Sequence, residues 1–244
     1  MTTLVSGGCS FTYGFELRDI NNVWTKLLAD RHGLAFAQTA HMGIGNLQIA
    51  QRCMEAVTDD SIVVVMWTFP VRYDYLLSIE TWESNHPWFT LTPMHTDLKN
   101  AVKNGFHPDH VKRVKGFGIE SWAKEHYKFV GDMNEAHNTL WQILQLQNFL
   151  KVNDIPYMFT SAHNWLLEEH YDIYNWPQTK NLVNNIDWSN WFWFPGEKKE
   201  HGFHHWSVAE GFEIGPGKHP LDEAHTAAVD LMEDKFNEIF KEYL

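Results

Sequence analysis

Leu4-Val5-Ser6-Gly7-Gly8-Cys9-Ser10-Phe11-Thr12-Tyr13-Gly14 opens the chain with a short apolar run that breaks at a glycine pair and closes on a further glycine. This is the pattern of a first strand turning into a helix. A serine at such a turn stands clear of the backbone and meets backbone N–H donors at the helix start. Outward from this segment, further strand-like runs fall at 34–40, 61–68 and 156–162, each short and apolar on both faces. Strands of that kind are buried between helical layers in a parallel sheet. Helical spacing lies between them, with Val23, Trp24, Leu27 and Leu28, then Ile49, Cys53 and Met54, then Leu140, Ile143, Leu144, Phe149 and Leu150. Alternation of strand and helix predicts a doubly wound α/β sheet in one domain spanning 1–244.

A terminal helix over 222–242 is expected to cover the sheet with Ala228, Leu231, Met232, Ile239, Phe240 and Tyr243. Two stretches interrupt the rhythm, 72–133 and 164–217. They read as aromatic-rich insertions at the C-terminal ends of the strands, where open α/β sheets bind ligands. In the first, helical character is confined to 98–102 and 119–126. The second is rich in tryptophan between Trp165 and Trp206. Its rings suit a wall for a sugar or acyl chain, an oligomer or particle interface, or an enlarged core.

Net charge is −12, from 31 acidic against 19 basic residues, with no basic cluster to meet phosphates, so nucleic acid is not expected as a partner. Apolar runs such as Ile62-Val63-Val64-Val65-Met66-Trp67 fall well short of the roughly 20 residues a membrane helix needs. The N-terminus shows no export signal. No membrane partner and a cytoplasmic or virion-associated location are therefore expected. The two cysteines, Cys9 and Cys53, are too few for a disulfide framework.

Ser10 near the start and Asp222 and His225 near the end supply a nucleophile, an orienting carboxylate and a base in the order Ser, Asp, His. Residues i and i+3 are neighbours on a helix, so Asp222 and His225 can meet at its start. Ser10 and Asp222 also suit helix N-caps. His219 reads as a pocket-shaping or loop residue, and Arg72 as a clamp for a polar substrate group or a surface ion pair. Cys9 reads as buried filler. His201, His204 and His205, and His107 with His110, lack the cysteine partners or helical spacing of common metal motifs, so no metal site is expected.

These residues resemble the SGNH, or GDSL-like, hydrolase family, most closely its divergent members from microbial and phage genomes. Gly8-Cys9-Ser10-Phe11-Thr12-Tyr13-Gly14 matches the family's first block, with Cys9 in place of the usual Asp. Gly43-Ile44-Gly45-Asn46 matches the second, and Asp222 with His225 the fourth. The third should carry an Asn, but the strand ends Met66-Trp67-Thr68-Phe69-Pro70. The resemblance implies a three-layer α/β/α flavodoxin-like fold and an ester hydrolase working through an acyl-enzyme on Ser10. It also implies an oxyanion hole from the Ser10 and Gly45 amides, with Thr68 or Asn46 substituting for the missing Asn. No cofactor is implied. A small-molecule or glycan ester, for example a short-acyl O-acetyl carbohydrate, is the implied substrate. Transfer of the acyl group to a sugar, and a non-catalytic glycan- or protein-binding module, remain open on the residues alone.

Overall fold

A computed structural model describes residues 1–77, 88–103, 106–164, 171–196 and 201–244. Strand β1 (Thr3–Gly8) leads through the one-turn helix α1 (Ser10–Tyr13) to α2 (Trp24–Arg31), β2 (Ala35–Gln38), α3 (Asn46–Ala56) and β3 (Ser61–Trp67). The first insertion holds β4 (Tyr73–Leu76), β5 (Trp88–Leu91), α4 (Pro108–Gly116) and α5 (Ile119–Phe129). The chain continues with α6 (Asp132–Val152), β6 (Tyr157–Ser161), α7 (Pro177–Asn185), α8 (Phe203–Ala209) and α9 (Asp222–Phe240).

The strands apolar on both faces form a parallel sheet in the order β2-β1-β3-β6. Side chains alternate across it. Val5, Val63, Val65, Trp67 and Phe159 pack against α3 and α6 through Ile49, Cys53, Leu140 and Ile143. Leu4, Ile62, Val64, Met66 and Met158 pack against α2 and α9 through Trp24, Leu28, Met232 and Phe236. The result is a three-layer α/β/α sandwich. A single parallel bridge from Phe159 to Trp191, with Phe192 N–H donating to the Phe159 carbonyl at 2.8 Å, extends the sheet beyond β6.

The face of α9 differs from the sequence expectation. His225, Ala228, Val229, Met232, Phe236 and Phe240 point inward, whereas Leu231 is 41% and Tyr243 40% exposed. The inward set keeps the 3.6-residue period more closely. In the first insertion α5 forms where 119–126 predicts a helix, while 98–102 is a run of turns. Phe89, Leu91, Leu98, Val114 and Ile119 give this insertion an apolar cluster of its own. In the second insertion Trp191 stacks on Trp193 with centroids 4.9 Å apart, Trp206 stacks on Phe194 at 4.9 Å, and both Trp191 and Trp206 are buried. These rings enlarge the core; Trp165 lies outside the described residues. No helix among the described residues is long and apolar enough to cross a membrane.

Gly7 sits where β1 passes under α3. A Cβ there would collide with Cys53 Sγ and lie 3.0 Å from Val65 Cγ2. Gly7→Ala is therefore expected to cost about 1–3 kcal/mol through overpacking, read as a lower urea midpoint at unchanged slope.

Candidate active site

Ser10 is the first residue of α1, directly beyond the C-terminal end of β1, and is 6% exposed. Cys9 before it is extended and fully buried. Gly14 ends α1 at φ 85° and donates its N–H to the Ser10 carbonyl at 3.2 Å. Two residues on, Glu16 takes φ 72°, a left-handed conformation costly for a side-chain-bearing residue. It delivers the Glu16 carboxylate to the loop 215–219. Glu16 Oε1 accepts from Gly217 N–H at 2.8 Å, and Oε2 lies 2.9 Å from His219 Nδ1. A Cβ at Gly215 or Gly217 would sit 2.7 or 2.8 Å from Glu16 Oε2, so the loop approaches this closely only with glycine at both positions.

His219 Nε2 lies 2.8 Å from Ser10 Oγ. With the carboxylate on Nδ1, the ring proton belongs there, and Nε2 accepts from the Ser10 hydroxyl. Phe11 and Phe15 flank the imidazole at centroid distances of 4.8 and 5.2 Å. Burial lowers the His219 pKa and the nearby Arg72 charge adds to that, outweighing the raising effect of the Glu16 bond and charge, so the ring is held below 6.5. For Glu16, burial raises the pKa, but the Gly217 bond and the bond and charge of His219 outweigh it, leaving the carboxylate below its usual range. A neutral imidazole thus stands between a hydroxyl and an ionised carboxylate.

The pairing expected from sequence, Asp222 with His225, is not what meets Ser10. His225 is 1% exposed, and its Nδ1 accepts the Trp24 N–H at 3.2 Å. That amide is the first of α2, whose own N-cap offers no side-chain bond, so a residue 201 positions away satisfies it. Burial holds the His225 pKa down at about 3, against opposing effects of Asp222 and a Pro220 backbone bond. Asp222 is the first residue of α9; its carboxylate accepts from Asn22 Nδ2 at 2.8 Å and Arg18 N–H at 3.3 Å. The i, i+3 spacing is real, but it lies on a helix that turns His225 into the core.

Two of the expected oxyanion donors are also committed elsewhere. Gly45 N–H donates to Asp74 Oδ1 at 2.9 Å, and a Cβ at residue 45 would sit 2.6 Å from Asp74 Oδ2. The glycine there admits a carboxylate that also accepts from Gln48 N–H at 3.0 Å at the start of α3. Asn46 clamps the backbone of residue 68, accepting from Thr68 N–H at 2.8 Å and donating to its carbonyl at 3.2 Å. The Thr68 hydroxyl is buried without a hydrogen-bond partner among the described residues. Since Gly8 pairs with Met66, Ser10 and Thr68 each lie two residues beyond matched positions on adjacent strands. The Ser10 N–H, first of α1, has no partner inside its helix.

Arg72 donates to the Ile44 carbonyl at 3.0 Å and lies over the Phe69 ring at 4.8 Å. His107 is exposed beside Asp109 Oδ2 at 3.6 Å, whereas His110 meets His95 with 3.2 Å between their Nε2 atoms. His163, His204 and His205 are the described residues that could hold a metal ion, with their ligand atoms within 4.8 Å of one another. The residue sequence reasoning missed outright is Glu16. A carboxylate in the turn after the serine, and the His219-Pro220 pair after Gly215-Pro216-Gly217, were the available signals.

No family model matches the sequence, and no curated protein matches it. Among solved structures, the esterase EstA from Pseudoalteromonas sp., captured with monoethylphosphonate as inhibitor, aligns over 98% of both chains with a TM-score of 0.51 at 10% identity. A member of the lipolytic protein G-D-S-L family from Veillonella parvula aligns over 99% of both chains with a TM-score of 0.47 at 11% identity. The chain thus shares the EstA fold.

The two histidines separate by stability. His225→Ala is expected to cost about 2–4 kcal/mol in urea unfolding, from the cavity and the abandoned Trp24 amide. The folded ring holds its pKa at about 3 against 6.5 when unfolded. As pH falls through that window the unfolded chain binds the proton first, so the contribution of His225 erodes, and the variant shows a shallower loss of stability with acid.

Proposed function

We propose that the chain is a serine ester hydrolase acting through an acyl-enzyme on Ser10, with His219 as general acid/base and Glu16 as its orienting carboxylate. The observation that carries this reading is the unbroken relay of 2.8 Å from Ser10 Oγ to His219 Nε2 and 2.9 Å from His219 Nδ1 to Glu16. A fold shared with an esterase agrees with it.

The Ser10 Oγ attacks the ester carbonyl carbon while His219 Nε2 takes its proton. The tetrahedral intermediate then collapses, the ester C–O bond breaks, and His219 returns the proton to the departing alcohol. Water, deprotonated by the same nitrogen, releases the acid from the acyl-serine. Glu16 keeps the Nδ1–H in place and stabilises the transient imidazolium. The Ser10 N–H and the Thr68 hydroxyl are the proposed donors to the oxyanion, replacing the donors spent at Gly45 and Asn46.

Phe15, 41% exposed and 5.2 Å from the His219 ring, gives the site an aromatic wall that suits a short-acyl ester on a carbohydrate. Arg72, close enough to lower the His219 pKa, is the proposed clamp for the polar part of that substrate. One observation favours a non-catalytic binding module instead, namely the engagement of the Gly45 and Asn46 donors.

Initial rates on p-nitrophenyl acetate decide between them. Saturable hydrolysis is expected from the wild type and its loss from Ser10→Ala and His219→Ala, with Glu16→Gln lowering kcat by roughly 10²–10⁴-fold. Equal rates from wild type and Ser10→Ala would leave the binding module. Thr68→Val is expected to lower kcat by roughly 10–10³-fold with little change in KM. The acid limb of kcat/KM, set by His219, is expected below 6.5, with the rate rising as pH increases through it. Glu16→Gln should move that limb to lower pH, because the Glu16 bond and charge both raise the His219 pKa.

A further inference from the structure

We infer that His163, His204 and His205 form a transition-metal site of the zinc type near Ser10 and His219. The sequence suggests no such site, because His163 lies some 40 residues before the pair, which falls within the second insertion. The fold closes that gap. His163 lies two residues beyond β6, at the sheet edge that also carries Ser10, and α8 places His204 and His205 in its first turn.

The junction between the two elements is built closely. His204 N–H donates to the Ala162 carbonyl at 3.0 Å, and Gly202 N–H to Asn164 Oδ1 at 2.6 Å. A Cβ on residue 202 would lie 2.5 Å from the His163 backbone, so glycine is what lets α8 begin against it. The His163 and His205 ring centroids are 3.9 Å apart and those of His163 and His204 5.8 Å.

One ligand atom from each ring lies within 4.8 Å of the others. Nitrogens on a tetrahedral zinc ion are about 3.3–3.5 Å apart, so small side-chain rotations bring the set to bonding distance. His204 Nδ1 is buried without a hydrogen-bond partner among the described residues, a cost that a cation relieves. Asn164 N–H reaches His205 Nδ1 at 3.4 Å, a long contact that a metal bond would replace. An all-imidazole set favours zinc, copper, nickel or cobalt over magnesium and calcium. Three protein ligands leave a coordination position for water or a substrate oxygen. A cleft of about 520 Å³ lined by His201, His204, His205 and Glu210 gives an ion access. The site stands beside the relay, with the His204 ring 6.1 Å from Phe11, itself 4.8 Å from His219.

The test is calorimetric titration of Zn²⁺ into the untagged, chelator-treated full chain, with the visible bands of bound Co²⁺ as a second readout. This readout is independent of any hydrolase activity. Saturation near one equivalent is expected, weakened at least about tenfold in His163→Ala and in His205→Ala, and unchanged in the exposed control His107→Ala. Circular dichroism checks that each variant is folded, and His205, which lines the cleft, supplies the answer if His163→Ala is not. Zn²⁺ binding of equal strength in all four proteins, or no saturation below about 1 mM with no Co²⁺ bands, would overturn the site.

Discussion

The Glu16 carboxylate is the point on which the rest of the structure turns. It lies six residues after Ser10, in a left-handed backbone conformation of φ 72° that side-chain-bearing residues adopt uncommonly. What holds it there is the loop 215–219, which surrounds the carboxylate with the Gly217 N–H and the His219 ring. This interaction joins two segments some 200 residues apart and in doing so brings a histidine to the serine. The half-buried carboxylate is held by charge-assisted bonds to these partners, and the same partners make the relay.

Asp222 and His225 extend that junction. Asp222 binds Asn22 and the Arg18 amide, and His225 binds the Trp24 amide, so residues 16–24 and 217–225 are joined at successive points along their length. The His225 bond satisfies a Trp24 amide that burial would otherwise leave costly. The two histidines differ by surroundings more than by position. His225 faces Phe203 in the core and is held neutral down to about pH 3, whereas His219 keeps a carboxylate on one nitrogen and a hydroxyl on the other. Only the second arrangement can pass a proton and take it back.

The sheet was legible from residue pattern because β3 is apolar at every position after Ser61 and β1 and β6 carry consecutive apolar residues without a polar alternation, as strands covered on both faces do. Ser10 was legible for a similar local reason, as a hydroxyl at a strand-to-helix break. Thr68 and His219 also stood out as candidates, but the pairing of His219 with Ser10 and Glu16 did not, because those contacts span some 200 residues. Asp222 and His225 match a familiar spacing, but with α9 starting at Asp222 the histidine falls on the buried face. Gly45 matches a familiar glycine, yet its amide is taken by Asp74 from the first insertion, whose structure no local pattern announces. The tryptophans of the second insertion suited a ligand wall, an interface or an enlarged core in sequence; Trp191 and Trp206 pack as core, while Trp176, Trp188 and Trp193 are half-buried against it, a difference aromatic content alone does not predict.

The most direct test of the account is labelling with a fluorophosphonate, in which the Ser10 oxygen displaces fluoride from phosphorus with His219 taking the hydroxyl proton. Peptide mass spectrometry should find the adduct on Ser10 in the wild type and in folded His225→Ala, and find it formed at least about a hundredfold more slowly in His219→Ala. Labelling that survives in His219→Ala but is lost in His225→Ala, or an adduct on any other residue, would contradict the assignment of the relay.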